Sequence, residues 1–197
     1  MYGSLVRGDF WSSQSDVDIY IVGSQSAQAA TILCKFVPKL ELVCMQSGYF
    51  VSQRCLPHKQ RHIQLGLHGF DTVDNHQCLI GTDPLKEFPV ARKYELVQLA
   101  KMRLRELQGH SGRSASDEPA KRAVEALKTA ALLELIKNGE RETRHKDKIF
   151  GAFQDLVPQF EGKEFSKVLW SDYRSGKYSD GEKSERFVSA LVTTVVG

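Results

Sequence analysis

No run of apolar residues in this 197-residue chain approaches the ~20 that a bilayer-spanning helix needs, which excludes a helical membrane protein. The opening segment lacks a basic stretch leading into an apolar core and a small-residue cleavage site. Met1 to Asp16 is polar and carries charge of both signs, so the expectation is a cytoplasmic protein with no membrane association. Cysteine is scarce. Its four residues, at 34, 44, 55 and 78, form no CxxC pair and keep no regular spacing, which suits reduced thiols better than a disulfide framework. Internal repeats and low-complexity tracts are missing as well.

A large excess of one charge is also absent. The net charge is +3; residues 1–90 hold 7 basic and 8 acidic side chains, and residues 91–197 hold the remaining 20 and 16. A dedicated nucleic-acid binder concentrates Lys and Arg more strongly than this. Aromatic residues do not interleave with the basic ones as stacking platforms require, which weighs against an RNA-binding module. An anionic small-molecule substrate stays compatible. With 41% hydrophobic and 26% charged residues the composition is that of a globular protein, able to bury roughly 70% of its unfolded surface.

What is present changes character near Pro89. Residues 1–90 are punctuated by Gly, Pro and short β-rich runs, and residues 91–197 carry helical periodicity with few breakers, so two domains are expected with that boundary. In the first, Asp16 to Val22, Leu40 to Met45 and Ile63 to Leu67 read as strands, and Ala27 to Val37 as a short helix between the first two. The second offers four or five amphipathic helices. Leu96, Leu99, Ala100, Leu104 and Leu107 share one face, and Val124, Leu127, Ala131 and Leu135 the next. Ile149, Phe150, Phe153 and Val157 form a third, and Phe187, Val188, Leu191 and Val195 a fourth. Asp117 and Pro119 open the second of these helices, Asn138-Gly139 closes it, and Gly109 to Ser116 forms a flexible link before it.

The stretch richest in chemistry is Gly3 to Val22. Asp16 and Asp18 stand at i and i+2 at the start of an apolar strand, and alternation across a strand predicts that both point to one face. Adjacent carboxylates repel unless a cation lies between them, so the pair reads as metal ligands. Gly3-Ser4, followed by an expected helical turn, offers backbone N–H groups and a hydroxyl to an anion, and Arg7 a planar fork of donors to the same phosphates. Cys55, His58, His62, His76 and Cys78 could close a zinc site on a hairpin, but no closely spaced cysteine pair anchors it, and a wet polar loop is the better reading. Trp11 could equally stack on a base or cap a core. Lys128 interrupts an apolar face, and Arg144, Lys146 and Lys148 crowd one loop and helix start, as a solvated cluster or as phosphate contacts.

Gly3-Ser4, a spacer of about ten residues and Asp16-x-Asp18 on a strand resemble the signature of the DNA polymerase β-like nucleotidyltransferase superfamily. Within it the sequence looks most like the small prokaryotic aminoglycoside adenylyltransferases and minimal nucleotidyltransferases, whose spacer often carries an Arg-Gly pair such as Arg7-Gly8. Cys78 to Leu85 and Lys128 to Phe153 are weaker echoes further along. The resemblance implies an α+β fold, a small mixed nucleotidyltransferase sheet with helices followed by a C-terminal helical bundle. It implies that Asp16, Asp18 and Glu41 are catalytic and hold two Mg2+ ions, with Asp71 or Asp74 as substitutes for Glu41. Gly3, Ser4, Arg7, Lys128 and Lys146 would contact ATP or another nucleoside triphosphate. The implied activity moves a nucleoside monophosphate, AMP by family habit, to a hydroxyl of a small molecule, protein or RNA end, with a homodimer as one arrangement. In the family a helix and a strand precede the Gly-Ser turn, and here only Met1 and Tyr2 do, so either the chain belongs to a longer protein or its sheet lacks a strand. The alternative is a catalytically weak or inactive member that acts as a nucleotide-sensing or antitoxin-like binding subunit.

Overall fold

Apolar side chains that recur at helical spacing must find partners, and in this chain they find them on one another. The computed structural model describes residues 4–10, 17–22, 26–33, 35, 40–45, 75–83, 93–109, 119–139, 145–158, 162–177 and 180–197. The chain divides into two units, Met1–Ala91 and Arg92–Gly197. The elements in order are α1 (Ser4–Arg7), β1 (Val17–Val22), α2 (Ser26–Leu33), β2 (Leu40–Met45), α3 (Lys93–Gly109), α4 (Pro119–Lys137), α5 (Lys146–Leu156), α6 (Lys163–Ser175) and α7 (Gly181–Val196).

In the first unit β1 and β2 pair in parallel, and α2, which joins them, packs on both. Parallel neighbours need such a crossover because a tight hairpin cannot connect them. The expected mixed nucleotidyltransferase sheet is not what forms. The interpretable part of the chain is dominantly helical, and the strands among the described residues amount to this one parallel pair of six residues each. The α+β expectation is thereby corrected. The physical reason is that the long apolar faces of this chain repeat at the period of a helix, so helices and not strands do the burying. The third expected strand, Ile63 to Leu67, lies outside the described residues.

Among the described residues the second unit has five helices, arranged around α4. Ala120, Ala123, Ala126, Ala130 and Ala131 alternate with Val124, Leu127, Leu132, Leu133, Leu135 and Ile136, and all of them are buried. A helix with so wide an apolar face belongs largely inside, with Lys121, Glu125 and Lys128 left as its polar strip, and α3, α5, α6 and α7 all pack on it. The alanines let neighbouring backbones approach, and the leucines fill what remains. Phe153 of α5 and Phe187 of α7 meet with ring centroids 6.2 Å apart, and Phe165 of α6 approaches Phe187 edge-on at 5.9 Å.

The ends of the helices are chemically explicit. Pro119 occupies the first position of α4, where a missing N–H costs nothing. Beyond its last turn Gly139 takes φ +89°, the left-handed conformation that ends helices. Gly176 closes α6 at φ 74°, with Gly176 N–H donating to the Tyr173 carbonyl at 3.2 Å and Lys177 N–H to the Asp172 carbonyl at 2.8 Å. Asp180 caps α7 by accepting from the N–H groups of Glu182 and Lys183 at 3.0 and 3.2 Å. Lys93, the first residue of α3, donates from Nζ to the Lys137 carbonyl at 2.7 Å and so satisfies the far end of α4.

Several buried polar groups in this core are paired. Ser166 Oγ donates to the Lys163 carbonyl at 2.6 Å and accepts from Gln154 Nε2 at 2.9 Å, and Ser184 Oγ donates to the Asp180 carbonyl at 2.8 Å. Arg122 enters the interior from α4 and meets Glu185 of α7, Nη2 to Oε1 at 3.0 Å.

Leu127→Ala at the fully buried centre of α4 is expected to destabilise the protein by about 2–5 kcal/mol, whereas Val168→Ala on the exposed side of α6 should stay within about 0.5 kcal/mol. Urea unfolding followed by circular dichroism distinguishes the two.

Candidate functional site

Ser4 opens α1, one turn of helix that packs against β1. Its end explains the sequence Arg7-Gly8-Asp9. Gly8 takes φ +78°, and Asp9 N–H donates back to the Ser4 carbonyl at 3.0 Å, the six-to-one bond of a Schellman cap. A Cβ at Gly8 would meet nothing within 4 Å, so the demand for glycine comes from the backbone angle and not from crowding. Ser4 is buried, and Gly3 lies outside the described residues.

Arg7 has a local partner. Its Nε lies 3.4 Å from Oδ1 of Asp9, whose side chain is fully buried. The guanidinium therefore offsets a buried carboxylate at the end of α1. Asp9 was not among the expected site residues, although an Arg and an Asp two positions apart across a glycine were visible in the sequence.

On the strands, the parallel register sets Val17 opposite Leu40, Asp18 opposite Glu41 and Ile19 opposite Leu42. Asp18 and Glu41 are thus ladder partners, each at the second position of its strand. Like charges at directly opposed ladder positions destabilise a sheet unless something offsets them. Both positions lie at the amino ends of their strands, whereas open α/β sheets usually bind ligands beyond the carboxyl ends. Asp16, Asp71 and Asp74 lie outside the described residues. Carboxylate oxygens are the hard donors that Mg2+ prefers, so the donor chemistry of Asp18 and Glu41 fits that ion. Among the described residues no group of three or more His, Cys, Asp or Glu is gathered as a metal site.

The two lysines belong to the second unit and are held by their surroundings. Lys128 Nζ pairs with Glu125 one turn earlier and stands 5.8 Å from the ring centroid of Tyr173. Tyr173 continues an aromatic row in which Phe150 stacks on Trp170 with centroids 5.0 Å apart and planes within 5°, and Trp170 meets Tyr173 at 5.8 Å. Lys146, at the start of α5, is only 7% exposed, so its stem is part of the packing. Next to it, His145 precedes the helix without a side-chain cap bond, and its Nδ1 is buried with no hydrogen-bond partner among the described residues. His145 carried no expected role.

Of the five Cys and His residues read as a wet polar loop in preference to a zinc site, Cys55, His58 and His62 lie outside the described residues. His76 Nε2 is instead 2.9 Å from Oδ2 of Asp83, and the Cys78 thiol donates to the carbonyls of Ile80 and Gly81 at 3.6 and 3.7 Å. Among the described residues no helix is long and apolar enough to cross a membrane. Comparison with family models, with curated proteins and with solved structures finds no match.

Arg7→Ala removes the cation beside the buried Asp9 carboxylate and is expected to lower stability by about 1–3 kcal/mol, with part of the loss recovered in the Arg7→Ala/Asp9→Ala double variant. Gly8→Ala should cost about 1 kcal/mol through its left-handed φ alone. Thermal denaturation of the four chains, parent included, reads both effects.

Proposed function

We propose that this chain is a magnesium-dependent nucleotidyltransferase that moves a nucleoside monophosphate, AMP from ATP, to a hydroxyl acceptor. The observation that supports the reading most is the ladder pairing of Asp18 with Glu41, which brings a second carboxylate-bearing strand beside the Asp16-x-Asp18 run. Two acids at one rung are unfavourable by themselves and become favourable around a divalent cation.

Asp16, Asp18 and Glu41 would hold magnesium, which when bound supplies the positive charge that neutralises a triphosphate. Gly3 and Ser4 bind the β- or γ-phosphate through backbone N–H groups and the hydroxyl. Glu41 also stands as the group that takes the proton from the acceptor hydroxyl as its oxygen attacks the α-phosphorus. The bond to the β-phosphate oxygen breaks in line, and pyrophosphate leaves with that electron pair. Positioning and charge neutralisation do most of the work in such transfers, so few side chains need special chemistry. The choice of ATP follows the resemblance of the Gly-Ser and Asp-x-Asp motifs, as does the breadth of hydroxyl acceptors: a small molecule, a protein or an RNA end.

Incubation with α-phosphate-labelled ATP, magnesium and candidate acceptors is expected to move label to an acceptor, and Asp18→Ala to lower the rate at least about 100-fold with an unchanged melting temperature. Label transfer that survives Asp18→Ala refutes the assignment. ATP binding without transfer to any acceptor replaces it with the nucleotide-sensing subunit.

A further inference from the structure

Asn138 and Gly139 stand together just beyond the last turn of α4, and both are exposed. Gly139 takes φ +89°, and a Cβ built there would meet nothing within 4 Å, so the bend is open to water. We propose that Asn138-Gly139 is a modification site, at which the asparagine amide is converted by water to an acid, and that Lys93 guards it. An asparagine Cγ lies within ring-closing reach of the next backbone nitrogen, and glycine leaves that nitrogen unshielded by a Cβ. The Gly139 nitrogen, having given its proton to solvent base, attacks Asn138 Cγ. The N–Cγ bond forms, the Cγ–Nδ2 bond breaks, and Nδ2 takes up a proton and leaves as ammonia. Water then opens the cyclic imide at one carbonyl or the other, which gives aspartate or isoaspartate, the latter with an extra methylene in the main chain.

In the folded chain hydrogen bonds occupy both reacting groups. Gly139 N–H donates to the Ile136 carbonyl at 3.1 Å, and Asn138 Nδ2 donates to the Glu134 carbonyl at 2.9 Å. The nitrogen that must attack is thus engaged, and the amide that must leave is tethered to its own helix. Both bonds have to open first, so the reaction follows fraying at the end of α4. Lys93 bears on that fraying from α3: its Nζ donates at 2.7 Å to the carbonyl of Lys137, the residue immediately before Asn138. The ammonium pins the last turn of α4 to a neighbouring helix, beside carbonyls on which the helix dipole concentrates negative charge. Lys93 is therefore a positioning residue, acting through the Lys137 carbonyl. The chain's other asparagine, Asn75, is followed by His76, whose side chain crowds the corresponding nitrogen.

The test ages the full chain in mildly alkaline buffer, well below its unfolding temperature, and follows amide-to-acid conversion by peptide mapping with mass spectrometry. An isoaspartate-specific methyltransferase assay is the second readout. Conversion is expected at Asn138 and to lag far behind at Asn75. Lys93→Ala should speed conversion at Asn138 about threefold, the opening ratio that one net surface hydrogen bond represents, and should speed hydrogen exchange of the Gly139 amide by the same factor. Val168→Ala, exposed on α6, should change neither rate. An Asn138 that stays intact, equal conversion at the two asparagines, or a Lys93→Ala chain that matches the parent in conversion overturns the proposal.

Discussion

The burial of most of α4 is the constraint from which the second unit follows. Thirteen of its nineteen residues are buried while Lys121, Glu125 and Lys128 keep one polar strip, and a helix so largely apolar becomes stable only once neighbours cover it. Each of α3, α5, α6 and α7 needs only one apolar stripe to meet that demand, and each has one. The capping residues decide where the stripes begin and end. Pro119 and Asp180 start helices α4 and α7, and Gly139 and Gly176 stop α4 and α6. Arg122 is the single guanidinium among the buried residues described, and its ion pair with Glu185 makes the α4–α7 contact polar at one point as well as apolar along its length.

The first unit obeys a different constraint, the pairing of two short strands through a helix. Once β1 and β2 run parallel in this register, the second residue of one strand faces the second residue of the other, and in this chain those residues are Asp18 and Glu41. The same unit places Arg7 beside the buried Asp9 at the end of α1. Arg7 thus has a structural duty whatever else it contacts, and a change there affects folding before it affects any ligand.

The helices were legible because their apolar positions repeat at 3.6 residues and their ends carry proline, asparagine-glycine or glycine. Leu96, Leu99, Leu104 and Leu107, named from spacing alone, are buried together on α3, and Phe187, Val188, Leu191 and Val195 on α7. Helix α6 escaped notice because only Ser166, Leu169 and Trp170 of its thirteen residues are buried, and a serine does not announce an interior position. Two of the expected strands form, Val17–Val22 and Leu40–Met45, whereas the mixed sheet does not: period-2 reasoning specifies neither how many strands join nor in which direction, since both depend on distant partners. Asp18 and Glu41 could be named from the sequence, whereas their shared rung required the register. The pairing of Arg7 with Asp9 and that of Arg122 with Glu185 rest on three-dimensional neighbours that no local motif encodes.

Ser184 illustrates how a polar residue can be chemically silent. Its hydroxyl is spent on the Asp180 carbonyl of its own first helical turn, so nothing outside that turn senses an oxygen there. To the helices around it the position presents the bulk of an alanine. A seam built this way is indifferent to the oxygen and responds only to the volume that the position occupies.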